Sequence, residues 1–457
     1  MQMTSAVPNS DATPTHSNAE RRSQFLQDLL KLGQTAVTQV PESLQTLQNQ
    51  AAARIPELAI PSTRQEDWRF TDLAPLLNLE LAAPSLDAAV TLADLKPLLL
   101  PDTCGRLVFV DGYFRAELSS LEQLPPGLSV GNGSTIDQDY VTYLGKQGGS
   151  GDIFATLNTA SFRDNAVIWV AANAVIEQPL HVFFVTTNQA QPQFVQPRCL
   201  VVAGTNSQLA LIEEYATTGA GCQDGLANGC YVLNAVTEIC LEPGARLHHS
   251  RLQRDAKAAI HIGKTAVTQA KDSSYTNVAI HVGSHLSRHN LVAHHRGEQV
   301  ETNLQGLAVV IERQLIDTHS AILYTQPNCC SDQLYKAIVT DRGRSVFNGQ
   351  VDVPQAAQLT NAAQLNRNLL LSPQARVDTK PELTIVADNV KCTHGATISQ
   401  LEDEEIFYLQ SRGIDRDASQ TLLLDAFAAE IIQQIPNQTL QAVLIDCVSH
   451  QTQQHIQ

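Results

Sequence analysis

The sequence predicts a mainly β fold, a right-handed parallel β-helix flanked by an N-terminal α/β domain that is mostly helical and by a C-terminal helical domain. Three observations carry this. Between about residues 165 and 398 the chain breaks into β-branched runs such as AVIWVAA, HVFFVTT, LALIEEY, VLNAVTEIC, LAVVIE and ELTIVA, each of strand length. Polar turn signals separate them: Gly204–Ser207, Glu242–Ala245, Lys271–Ser274, Arg296–Gln299, Asp317–Ser320, Asp341–Ser345 and Ser372–Ala375. Measured at the last residue of each, the intervals are 38, 29, 25, 21, 25 and 30 residues. Nothing between them is long enough to be the helix of a βαβ crossover. A solenoid, in which each coil buries its inward aliphatics on its neighbours, accounts for so loose a repeat. Finally, hydrophobic residues make up 43% of the chain but aromatics only 5%. A core of Val, Leu, Ile and Ala suits thin stacked layers. A β-sandwich is the rival, and it leaves the recurring turn unexplained.

Taken in order, residues 1–19 are rich in Ser, Thr, Asn and Pro and read as a disordered tail. Residues 20–164 form the N-terminal domain. Phe25, Leu26, Leu29, Leu30 and Leu32 recur at helical spacing, and Pro41-Glu42-Ser43 opens a second helix through Leu44 and Leu47. A short strand Leu107–Val110 then meets an Asp111-Gly112 turn. The β-helix spans 165–398. From 399 to 457 helix returns. Acids at 402–405 open a helix whose Ile406, Phe407 and Leu409 supply a buried face, and Arg412-Gly413 closes it. Asp415 or Asp417 caps a second helix carrying Ala418, Leu422, Ala426, Phe427 and Ile431, and a third begins near Thr439. Such helices either only cap the open end of the solenoid or cap it and also dock a partner.

The net charge of −16, from 30 basic and 46 acidic residues, opposes non-specific binding to nucleic acid or anionic lipid. No apolar run reaches membrane-span length, and the first 22 residues lack the apolar centre of a secretory signal. Nine scattered cysteines with no CxxC speak against a disulfide framework and a structural zinc site. The expected compartment is the cytosol. No nucleotide-binding GxxxxGK[ST], GxSxG elbow or HExxH occurs, so no conventional enzyme activity is expected. The acidic pair Glu213-Glu214 imitates a polysaccharide-cleaving β-helix. His281, His285, His289, His294 and His295 invite a metal reading, against which stands that of surface histidines on successive coils, with a turn at Gly283.

The stretch Lys391-Cys392-Thr393-His394-Gly395-Ala396-Thr397 is the sharpest local feature. On a strand, residues two apart share a face, so Val390, Cys392, His394, Ala396 and Ile398 line one side. Alone, the pair reads either as a buried thiol packed beside a hydrogen-bonded imidazole or as a soft and a borderline donor for iron.

Longer-range motifs favour the second reading. Tyr335–Ile338, Arg344–Gly349, Ala356–Ala362, Asn366–Ser372, Thr379–Leu383, Cys392–Thr397 and Phe407–Ile414, taken in order, resemble the SufB/SufD family of iron–sulfur cluster assembly scaffolds. The N-terminal Ser62-Thr63-Arg64-Gln65-Glu66-Asp67-Trp68-Arg69-Phe70-Thr71-Asp72-Leu73 resembles the SufD branch. The resemblance is dense over 335–430 and looser over 165–334. It implies a β-helical subunit that pairs with a SufB-like paralogue, with a homodimer as the alternative for the isolated chain. It implies an ABC-type ATPase of the SufC kind on the C-terminal helices, where Phe407, Asp415, Leu422 and Phe427 are the candidate docking residues. Cys392 and His394 are the implied residues at the partner interface. No cofactor is expected to stay on the isolated chain, and iron or a nascent cluster would pass through transiently. The rivals are the paralogue's cluster-bearing role and the polymer-acting enzyme.

Overall fold

The structure is a computed structural model describing residues 18–34, 42–146, 152–218 and 229–453. The tail expected over 1–19 lies outside the described residues up to position 17; Asn18 and Ala19 open the first helix, Asn18–Gln34. From Leu180 on, the chain alternates between two sheets, each strand hydrogen-bonding the strand one full coil away. The first sheet runs from Gly105–Val110 through Leu180–Thr186, Gln208–Thr217, Arg246–Asp255, Ser274–Gly283, Glu301–Val310, Cys330–Val339 and Asn361–Leu370 to Lys391–Ser399, all parallel. The second ends on Arg344–Val353 and Arg376–Ile385. This is the parallel β-helix that the strand runs predict.

The turns show why Asn, Asp and Gly punctuate the sequence. Asn206, Asp272, Gln299, Asn328 and Leu359 take positive φ at the coil corners on one side, and Ser284, Glu312 and Asp341 do so on the other. Asn and Asp tolerate that left-handed geometry. Asp111 and Gly112 both have positive φ and join Gly105–Val110 to Tyr113–Phe114 in an antiparallel hairpin, as a type I′ turn requires. One turn signal is corrected. Asp317–Ser320 lies inside the strand Leu315–Tyr324, because Asp317 is satisfied on a covered outer face and Ser320 in the bore, by Gln333, instead of facing water.

What covers that face is the N-terminal region. Helices Asn18–Gln34 and Ile153–Ser161 pack Leu26, Leu29, Phe154 and Leu157 on Val232, Ile260, Ile262 and Leu286 of the second sheet. Beyond them the 62–73 segment crosses several coils. The guanidinium of Arg288 lies 3.9 Å from the Trp68 ring centroid. It donates to the Asp67 carbonyl at 2.6 Å and to Asp317 Oδ2 at 2.7 Å, while Thr71 donates to the same carboxylate. Lys380, on the last strand of the second sheet, pairs with Glu66 at 2.6 Å. Burial alone would push the Asp317 pKa up; the charges of His319 and Arg288 outweigh it and hold the carboxyl at about 2. Arg288→Ala would strand a buried carboxylate, with an expected loss of about 3 kcal/mol. Urea unfolding would measure that loss, and trypsin should then cut at Arg64 or Arg69 while the coils stay protected.

The C-terminal helices do not cap the open end. Leu424, Ala428, Ile431, Ile432, Leu440 and Leu444 pack on Leu252, Val278, Ile280, Leu307 and Ile338, along the outer flank of the first sheet. The reason is parity: the outward positions of these strands are aliphatic over several coils and need a cover. At about 1.5–3 kcal/mol per fully buried aliphatic side chain, that contact fixes the helices firmly. It also shifts the buried stripe of Arg416–Ile432 away from Ala418, Leu422 and Ala426, which face solvent.

Candidate functional site

Because the helices lie along the flank, the far end of the solenoid is bare. Among the described residues, Lys391–Ser399 pairs only with Asn361–Leu370, and Arg376–Ile385 only with Arg344–Val353. Most of Lys391–Ser399 is exposed, and Leu359, Leu365, Ile385, Val386 and Ile398 are exposed apolar side chains around it. Two unpaired parallel edges beside apolar surface make a docking template for another strand.

Cys392 and His394 sit on the terminal strand, in register with Ala362 and Gln364. Ala362 and Gln364 are buried on the inner side, so Cys392 and His394 face the bore of the solenoid at its mouth. The shared face expected from their spacing is therefore present. Cys392 packs partly on the inner core. Burial pushes its thiol pKa up, offset in part by a backbone hydrogen bond with Ala362, so it is a thiol near neutral pH until a cation approaches. His394 is exposed. Among the described residues no group of three or more His, Cys, Asp or Glu side chains could hold a metal ion. The mouth offers two donors of the types iron takes, which is less than a full ligand set.

Comparison with known proteins gives this geometry its context. Residues 184–427 match the family described as SUF system FeS cluster assembly, SufBD core domain, and residues 20–182 match the SufBD protein N-terminal region. The chain belongs to the SufBD family. Among its relatives, the iron-sulfur cluster assembly SufBD family protein slr0076 of Synechocystis is 42% identical, covering 92% of this chain and 94% of that protein. The chloroplastic protein ABCI7 of Arabidopsis thaliana is 31% identical over 87% and 84%, and SufD of Escherichia coli is 28% identical over 83% and 86%.

Other expectations about this SufBD protein fall differently. The polymer-enzyme reading of Glu213-Glu214 fails on access, since both carboxylates are fully buried. Glu214 accepts from His181 at 3.0 Å and from Arg254 at 2.9 Å on the outer side. Glu213 faces the bore, where Tyr215, Thr237 and His249 bond it. The surface reading of the histidines is also overturned. His281, His289 and His295 line the bore, fully buried. His281 Nδ1 lies 2.9 Å from Gln253 Oε1, His289 Nε2 3.0 Å from Thr265 Oγ1, and His295 Nε2 2.7 Å from Thr302 Oγ1. Burial, more than any neighbouring charge, pushes all three pKa values down, that of His295 to about 3. Ser284 and Gly283 form the expected turn, and His285 alone of the group is exposed.

The residues of the C-terminal helices divide. Phe407, expected on a buried face, is 71% exposed, with Tyr408 at 57% beside it and Leu422 at 48%; Ile406 turns inward instead. Asp415 is the N-cap of Arg416–Ile432, accepting from the Ala418 amide at 2.8 Å. Phe427 is half-buried against the flank. The Lys336 ammonium lies 4.1 Å from its ring centroid and donates to its carbonyl at 2.8 Å. No helix among the described residues is long and apolar enough to cross a membrane.

Proposed function

We propose that this chain is a scaffold subunit of a cytoplasmic SUF complex, pairing through its open solenoid end with a SufB-type subunit. On this reading an ABC-type ATPase of the SufC kind docks on the exposed face of the helices at 403–432. His394 and Cys392 are this subunit's half of a site at which iron and nascent cluster are assembled and passed on. The observation that carries the reading is the bare mouth itself, with two iron-type donors facing the bore and too few ligands to act without a partner. Glu66, bonded to Lys380 on the last strand, ties the N-terminal motif to the same end.

Co-expression with SufB-type and SufC-type proteins, purified anaerobically, tests the assembly. The expected product is a three-component complex that acquires iron–sulfur absorbance, while this chain alone does not. Substitution of Phe407 and Leu422 together by Asp should weaken ATPase binding at least tenfold, about 1.4 kcal/mol, because exposed apolar anchors dominate such interfaces. Calorimetry measures it, and pairing with the SufB-type subunit should stay intact. Asp415→Ala should act indirectly, lowering the stability of the helix by about 1 kcal/mol. Unweakened ATPase binding by the double variant would move the docking site elsewhere.

A further inference from the structure

Directly behind His394 lies a side chain that the fold alone does not account for. Gln364 is 3% exposed, yet neither its Oε1 nor its Nε2 has a hydrogen-bond partner among the described residues. Leaving a buried amide unpaired costs about 1–3 kcal/mol, and a leucine of similar size would avoid that cost. The amide is given room: a Cβ at position 349 would stand 1.8 Å from Gln364 Nε2, so only Gly349 lets the side chain extend across the bore to the opposite sheet. One coil deeper, Gln333 has settled its oxygen on Ser320 Oγ at 2.8 Å. Gln364 has no such partner.

Its neighbour in register is His394, one strand spacing away, about 4.8 Å between backbones. The His394 ring likewise makes no hydrogen bond among the described residues. A neutral imidazole carries one N–H and one lone pair, and the group that accepts the N–H decides which nitrogen is left as ligand. We propose that Gln364 is the positioning residue of His394. The two side chains are unbonded in this structure; a turn of the Gln364 amide toward its register neighbour would let its Oε1 accept the proton of one ring nitrogen and leave the other free for the cargo iron. The iron part of this inference rests on the function proposed above; the hydrogen bond does not.

The test compares Gln364→Leu, which keeps size and removes the acceptor, with Gln364→Glu, which keeps an acceptor. In the isolated chain labelled with 15N-histidine, the ring signals of His394, assigned by their absence from His394→Ala, should show one tautomer in the wild type and in Gln364→Glu. Gln364→Leu should show both tautomers, with an unfolding temperature no lower than wild type. In the anaerobic three-component complex, Gln364→Leu should lower cluster yield about tenfold, within the range for outer-shell partners of metal ligands, while Gln364→Glu retains most of it. A purely packing role predicts the reverse order, since leucine suits a buried site better than a carboxylate. Identical tautomer populations in the wild type and Gln364→Leu would overturn the proposal. Wild-type cluster yield from His394→Ala would overturn the cargo reading instead, and the tautomer measurement would still decide for or against Gln364.

Discussion

A complex carrying His394→Ala is expected to form less than about a tenth of the wild-type cluster, with the subunit itself intact. His394 is exposed at the mouth of the bore and makes no hydrogen bond among the described residues, so its removal should change stability by no more than about 0.5 kcal/mol. What alanine removes is a nitrogen donor that binds iron or moves a proton near pH 7. With only Cys392 left at the mouth, the subunit keeps one donor, and a thiol whose pKa is raised by burial is a poor ligand before iron arrives. Cys392→Ser should therefore be milder where the thiol only supports its neighbour and equally severe where it is a ligand. Anaerobic absorbance and iron content, in complexes matched for subunit ratio, provide the measurement. Undiminished cluster in the alanine complex would leave the mouth as a docking surface only.

Acidification is expected to produce the second large effect, in two windows. His295 in the unfolded chain has the ordinary value of 6.5, and in the folded bore about 3. The unfolded form therefore takes up the proton first, so the stabilisation is complete above pH 6.5 and disappears as the pH falls toward 3. Between pH 6.5 and 5 this one residue removes about 2 kcal/mol. His281 and His289, held down mainly by burial and next by Arg251, act in the same direction. The second window belongs to carboxylates. Burial alone would raise the pKa of Glu213, but the hydrogen bond and charge of His249, with Arg251 and Thr237, hold it at about 2. Its contribution is complete above 4.5 and is lost between 4.5 and 2. Urea titrations at pH 7, 6, 5 and 4 should show a steepening loss, and His295→Gln should flatten the first window by one proton. A level profile from pH 7 to 5 would mean that these histidines are hydrated in solution.

How far the sequence could be read depends on which distance each feature spans. The shared face of Cys392 and His394 follows from a two-residue period, which any strand imposes, and the Asp111-Gly112 hairpin follows from two adjacent φ values. Gln364 is 30 positions from His394, and only the register of neighbouring coils makes them adjacent. The same holds for Glu213 and Arg251, paired across two strands. The bore defeats hydropathy reasoning because part of it is polar: His281, His289 and Glu213 look like surface residues, yet each is buried and bonded there, to Gln253, Thr265 and His249 respectively. Asp317–Ser320 looks like a turn because its partners, Arg288 and Thr71, lie far along the chain. Phe407 is exposed where helical spacing puts a buried face, because the helix turns Ile406 inward instead.

The long reach of the Thr71–Asp317 and Glu66–Lys380 contacts has a consequence in time. Thr71 leaves the ribosome 246 residues before Asp317, and Glu66 precedes Lys380 by 314. At about 5–20 residues per second, Thr71 waits roughly 12–50 s for Asp317, while coil after coil is laid down beside it. A segment made early is thus locked late, and its closure reports that the coils as far as the strand of Lys380 have been laid down.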